Sequence, residues 1–334
     1  MKDRNTNQKI NYNLELLRLI LSFWIVMNHC YRYTQFFNKG KFHVPTFMIM
    51  SFYFYYNILK TKEIFKIKNR FRRILIPYII WPIISLLINN ILLKLFSFSL
   101  YYKKILLNDL IIQIIFGVKY HNIFYFQFNL IFLTILFTII SFLFNENFFF
   151  IFQLLLITAY TFQYNYWNLN IFEKYSKVVR CSLGICFELF PFAVMGITLH
   201  HLDITEKLKK FKSLSIFYTG IIIFLIIKFD IFVRIKGYFY PGILYNVGGT
   251  SSFILFSLFS FQNKKLIFLL KFITKYTGGI YYIHIILFKC LRPKIEFIKN
   301  KTFLGTIFIY IVCYIICYLG NKLLYKTEFK FLFN

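Results

Sequence analysis

The 334-residue sequence predicts an all-α, polytopic integral membrane helical bundle with about ten transmembrane helices. Three observations carry that prediction. Hydrophobic residues make up 59% of the chain against 16% charged, with a mean hydropathy of +0.62; a soluble globule carries about a quarter charged residues to coat its surface. Apolar runs of about twenty residues, the length that crosses a hydrocarbon layer, recur with charge or turn clusters between them. The charge sits in those clusters, as 40 Lys plus Arg against 12 Asp plus Glu, a formal net charge of +28.

On a soluble chain that excess would point to nucleic acid. Short cationic clusters between apolar runs instead match a protein facing anionic membrane lipid, and no nucleic-acid partner is expected. The 47 Phe and 26 Tyr, beside alanine only at Ala159 and Ala193, reflect codon bias, so aromatic stripes carry no information by themselves. The cysteines Cys30, Cys181, Cys186, Cys290, Cys313 and Cys317 lie in or at the ends of apolar runs, with no CxxC pair or His/Cys ligand cluster. They read as small apolar residues, and no metal is expected.

In chain order, residues 1–13 are polar and basic and lack the short apolar core and small-residue cleavage site of a signal peptide, so they form a cytoplasmic tail. A transmembrane domain then occupies 14–320. Its expected spans are 14–32, 43–59, 74–95, 122–144, 148–164, 182–199, 214–229, 243–260, 273–290 and 303–320. A basic C-terminal tail, 321–334, follows. The loop 60–73 carries Lys60, Lys62, Lys66, Lys68, Arg70, Arg72 and Arg73 against Glu63, and Lys207, Lys209, Lys210, Lys212, Lys264, Lys265 and Lys271 lie on the same side by parity. The positive-inside rule therefore places both termini in the cytoplasm of a cell membrane. The apolar stretch 106–116 is too short to span and reads as an interfacial or re-entrant helix.

Ionisable residues in a membrane helix are costly and mark functional sites. The first span, NLELLRLILSFWIVMNHC, holds several. Arg18 and His29 are eleven residues apart, about three turns plus 20° and a rise of about 16 Å, so they share a face. Ser22 lies on that face, and Glu15 stands three residues before Arg18, where it can pair with it. A fixed cation near the cytoplasmic end suits phosphate, and an imidazole further along suits proton transfer. A snorkelling arginine and a helix-packing histidine are the alternatives.

Arg18 to His29, in LELLRLILSFWIVMNH, resembles the Arg, ten residues, His pattern on the first helix of the membrane-bound acyltransferase 3 family. Arg70 and Arg73 in RFRRILIPY are similar to that family's RxxR before a proline-bearing helix, with Pro77 in place. FMIMSFYF resembles its FFxxSG segment at Ser51, with Phe52 where glycine is usual. HNIFYFQFNLI resembles HxWF through His121, Tyr125 and Phe126, and TGGIYYIH resembles SYxxYLxH through Thr277, Tyr281 and His284. The ordered series covers nearly the whole chain.

The resemblance implies an O-acyltransferase moving an acyl group, commonly acetyl from acetyl-CoA, to a hydroxyl of a carbohydrate or lipid-linked envelope glycan. His29 is then the general base, and Arg18, Arg70 and Arg73 bind the CoA phosphates. Glu15, Ser22, Ser51, Glu188, Tyr281 and His284 are candidates to bind or orient substrate, with helix packing the alternative for Ser51 and Glu188. His200 and His201 are expected to interact with the C-terminal carbonyls of their own helix. The competing class is a transporter, flippase or polymerase of lipid-linked glycans, whose intramembrane charges would spread along a path rather than gather on one helix and the adjacent loop.

Overall fold

A computed structural model describes residues 12–31, 43–96, 106–117, 124–144, 147–166, 182, 184–232, 242–259 and 263–333. Among them are fourteen α-helices and no strand. In chain order these are α1 (Tyr12–Cys30), α2 (His43–Thr61), α3 (Ile64–Phe96), α4 (Leu107–Phe116), α5 (Phe124–Phe144), α6 (Phe148–Tyr166), α7 (Ile185–His201), α8 (Ile204–Lys209), α9 (Lys212–Phe232), α10 (Gly242–Leu258), α11 (Lys264–Thr274), α12 (Thr277–Leu291), α13 (Glu296–Lys299) and α14 (Phe303–Leu324), followed by a 3₁₀ turn, Glu328–Leu332.

Each of the ten expected spans coincides with one of these helices, but among the described residues three are long and apolar enough to cross a membrane: Ile64–Leu92, Phe124–Phe144 and Phe303–Leu324. Two features keep α1, α7 and α12 outside that set. Polar residues such as Glu15, Arg18, Asn28 and His29 lower the hydropathy of α1, and α7 and α12, at 17 and 15 residues, fall short of the roughly twenty a crossing takes.

The outward faces still need an apolar solvent. On α5, Phe132, Ile135, Ile139 and Phe142 are exposed at three- and four-residue steps, and on α14 Ile311, Ile315 and Leu319 do the same. Stripes of that size do not persist in contact with water on a monomer.

The cationic segment expected as the loop 60–73 is helical from Ile64 onward. Its Lys and Arg are good helix formers, and Lys66 pairs with Glu63 at 2.7 Å. The short helix α4 packs against α3 and α5, where the Tyr78 hydroxyl donates to the Ile114 carbonyl at 2.6 Å.

Phe52 at the usual glycine position does not keep α2 from a close neighbour. The approach is made by Gly196 of α7, where an added Cβ would overlap the Ile49 carbonyl and lie 2.9 Å from the Tyr53 amide nitrogen. His200 and His201 also join that contact, contrary to the expectation that they serve their own helix end. His200 Nε2 donates to Asn57 Oδ1 at 2.9 Å, while His201 bonds the Tyr56 hydroxyl at 2.6 Å and stacks on Phe149 at 3.7 Å.

Two apolar cores result. One gathers Leu14, Leu17 and Leu21 of α1 with α2, α5, α6, α7 and α10. The other gathers Val26 and Cys30 of α1 with α3, α12, α14 and the C-terminal segment. Helix α1 belongs to both, and a cavity lined by residues of α1, α2, α3, α5 and α12 opens beside it.

Candidate active site

The cavity has a volume of about 470 Å³ and is lined by Arg18 and Ile25 of α1, Val44 and Phe47 of α2, Arg73 of α3, Phe126 and Gln127 of α5, Thr277, Gly278 and Tyr281 of α12, together with Lys275 and Phe331. Three cations thus meet in one space. The first turn of α12 lies beside them, and no side chain caps its start at Tyr276. Uncapped amide N–H groups and the positive end of the helix dipole add to the attraction for an anion.

Arg18 is held from two sides. Its guanidinium pairs with Glu15 at 3.0 Å and donates to the Thr274 carbonyl at 2.6 Å, while its Nε–H is buried with no hydrogen-bond partner among the described residues. Both interactions are made by Nη2, which leaves the buried Nε–H to face a ligand. The Thr274 carbonyl also accepts from the Thr277 hydroxyl at 3.0 Å, so the break between α11 and α12 that presents Lys275 is pinned to α1.

Gln127, also in the lining, buries an Oε1 that likewise has no partner among the described residues. Phe47, Phe126 and Tyr281 form an aromatic group further in, with ring centroids 6.5 Å apart for Phe47 and Phe126 and 5.9 Å for Phe126 and Tyr281.

Three histidines lie near lining residues but outside the lining itself. His29 lies one turn after Ile25, His43 directly before Val44 and His284 three residues after Tyr281, so each is at most about one helical turn from a cavity-lining residue. The rings of His29 and His284 are 5.3 Å apart, and that of Tyr281 is 6.2 Å from His284. His29 is exposed and His284 fully buried.

His284 Nδ1 lies 3.1 Å from the Ile280 carbonyl. A carbonyl only accepts, so Nδ1 carries the proton and in the neutral ring Nε2 presents a lone pair. That Nε2 has no partner among the described residues. His43 is tied to α1 by the Asn28 amide, which donates to its Nε2 at 3.3 Å, and lies against Trp24 at 5.7 Å.

The other expected site residues are placed differently. Ser22 is on the predicted face of α1 but is engaged with the Tyr310 hydroxyl at 2.8 Å. Arg70 does not line the cavity: its Nη2 donates to Ser51 Oγ at 2.9 Å, and its guanidinium lies 4.1 Å from the Tyr55 ring and 5.3 Å from that of Phe52. Ser51 is therefore its partner. Glu188 is half-buried on α7 and outside the cavity lining. His121 lies outside the described residues.

Lys275, Phe331, Gln127 and His43 were not singled out from the sequence. Lys275 stands in a turn among several surface lysines and Phe331 among 47 phenylalanines, so neither carries a local signal. The family profile described as an acyltransferase domain matches residues 11–322, nearly the whole chain. The chain belongs to the acyltransferase 3 family. No curated protein and no solved structure matches it. As an acyltransferase 3 protein it is an acyltransferase of membrane character; its cavity is lined by three cations, and His29 and His284 lie outside that lining.

Proposed function

We propose that this protein is an integral membrane O-acyltransferase that moves an acyl group, acetyl in the simplest case, from acyl-CoA to a hydroxyl of a carbohydrate or lipid-linked envelope glycan. The observation that carries the reading is the cavity lined by Arg18, Arg73 and Lys275, with His284 three residues after the lining residue Tyr281 and its ring 5.3 Å from that of His29. A CoA thioester has the same polarity, a multiply charged nucleotide at one end and an electrophilic carbonyl at the other.

In this reading the donor enters from the cytoplasmic face, which also carries both termini, and Arg18, Arg73 and Lys275 hold its phosphates. The extended pantetheine arm runs past Phe47 and Phe126. From Arg18 to His29 is a rise of about 16 Å along α1, which separates phosphate binding from chemistry.

At the far end His29 removes the proton of the acceptor hydroxyl as its oxygen attacks the thioester carbonyl. The new C–O bond forms, the C–S bond breaks, and the imidazolium returns its proton to the departing thiolate to give CoA as a thiol. No covalent enzyme intermediate is required. His284, with its Nε2 lone pair, orients His29 or the acceptor hydroxyl. Arg70 is assigned instead to joining α2 and α3 through Ser51 and Tyr55.

The test is acyl release from radiolabelled acetyl-CoA by protein in lipid vesicles, with and without an extract of envelope glycans, in wild type, His29→Gln and Arg18→Gln. Label transfer or thioester hydrolysis in wild type and its loss in both folded variants is the expected result. If acetyl-CoA neither binds nor turns over, the reading fails and a glycan transporter or flippase takes its place.

A further inference from the structure

The C-terminal residues, expected as a basic tail, build part of the cavity wall. Phe331 lines it from the 3₁₀ turn Glu328–Leu332. The segment is held firmly. The Trp81 indole donates to the Leu332 carbonyl at 3.1 Å, and the Thr327 hydroxyl accepts from the Phe329 amide at 3.2 Å.

Phe333 seats against two glycines. A Cβ at Gly279 would lie 2.9 Å from Phe333 Cα, and one at Gly320 would lie 2.5 Å from its ring. Only bare backbone on α12 and α14 lets the segment dock this closely, and the docking holds the neighbouring Phe331 beside the cavity.

Phe331 is set apart from the aromatic group formed by Phe47, Phe126 and Tyr281. Its neighbours are cations, with the Arg73 guanidinium carbon 6.0 Å and the Lys330 Nζ 5.4 Å from the ring centroid. At 6.0 Å the Arg73 contact is at the outer edge of the cation–π range of about 6 Å, so it does little to close the ring face toward the cavity. An aromatic platform beside phosphate-binding cations is the chemistry that recognises a nucleotide base.

We infer that the C-terminal segment forms a purine subsite, in which Phe331 stacks on the adenine of the acyl-CoA donor while Arg73, Arg18 and Lys275 take its phosphates. The inference rests on the acyl-CoA reading and deepens it. The subsite recognises the nucleotide half of the donor, which takes no part in the reaction and supplies only binding energy.

The experiment compares two donors, acetyl-CoA and S-acetyl-4′-phosphopantetheine, which keeps the thioester and one phosphate but lacks the adenosine. In wild type, acetyl-CoA should have a KM at least about 10-fold below that of the truncated donor, which lacks two phosphates as well as the base; the share owed to stacking, about 5-fold or more, is read from the Phe331 variants. Phe331→Ala should raise the KM for acetyl-CoA toward that of the truncated donor, and Phe331→Trp should restore the difference. Phe331→Leu carries the same comparison should the alanine variant fail to fold.

Equal increases for both donors would show that the ring only positions Arg73, and the purine subsite falls. A wild type that turns over both donors with equal KM also overturns the subsite while leaving the acyl-CoA reading intact. A wild type that neither binds nor uses either donor overturns that reading itself, and the subsite with it.

Discussion

Arg18→Gln tests the cationic end of the cavity and separates two roles of one side chain. Arg18 donates to the Thr274 carbonyl at 2.6 Å and pairs with a partly exposed Glu15 at 3.0 Å. A hydrogen bond from a charged donor contributes about 1.5 to 3 kcal/mol, and a partly exposed ion pair about 0 to 1 kcal/mol. The variant should therefore lose about 2 to 3 kcal/mol of stability, seen as a lower melting temperature in detergent or vesicles, with the fold retained.

The same substitution removes one charge-assisted contact to a donor phosphate. At about 1.5 to 3 kcal/mol and 1.4 kcal/mol per factor of ten, the KM for acetyl-CoA should rise by about 10- to 100-fold. Arg18→Lys keeps the charge but cannot reach Glu15 and Thr274 with one rigid fork, so its KM should fall between the two.

Steady-state transfer of radiolabelled acetyl in proteoliposomes reads KM, and its dependence on salt should be weaker in Arg18→Gln than in wild type. An Arg18→Gln protein with lowered stability but a KM within about twofold of wild type would refute phosphate binding at Arg18. It would leave the residue as a tie between α1 and the α11–α12 break.

Other substitutions probe the remaining parts. His29→Gln should lower kcat by about 10²- to 10⁴-fold, the usual contribution of a general base, with little change in acetyl-CoA binding measured by equilibrium dialysis. His284→Ala should lower kcat more than it changes the KM for acetyl-CoA, because its ring lies 5.3 Å from that of His29 and outside the cationic cavity lining. Arg70→Lys should lower the melting temperature through loss of the Ser51 and Tyr55 contacts while the KM for acetyl-CoA stays near wild type; a KM rise of about 10-fold would return Arg70 to the phosphate site. Gly196→Val should cost about 1 to 3 kcal/mol or more by overpacking, read as reduced yield of folded protein, since its Cβ would meet the backbone of α2.

The first helix was legible in the sequence because a helix has a fixed period. Eleven residues return to nearly the same angle, so Arg18 and His29 could be aligned before any fold was known, and the Glu15–Arg18 pair at three residues' spacing forms as its geometry dictates. Local order likewise determined ten apolar helices, because each twenty-residue window carries its own hydropathy.

The neighbours of those residues were decided elsewhere. Arg70 and Arg73 are three apart in one cationic run, yet Arg73 lines the cavity beside Phe331 of the C-terminal segment, while Arg70 turns to Ser51 and Tyr55 of α2. Lys275 became part of the site only through the break between α11 and α12, and Phe331 only because Gly279 and Gly320 let the chain end dock. Periodicity and hydropathy are properties of contiguous residues and can be read from them. Which helix faces which depends on contacts between residues as far apart as Arg18 and Thr274, and those exist only once the bundle has packed.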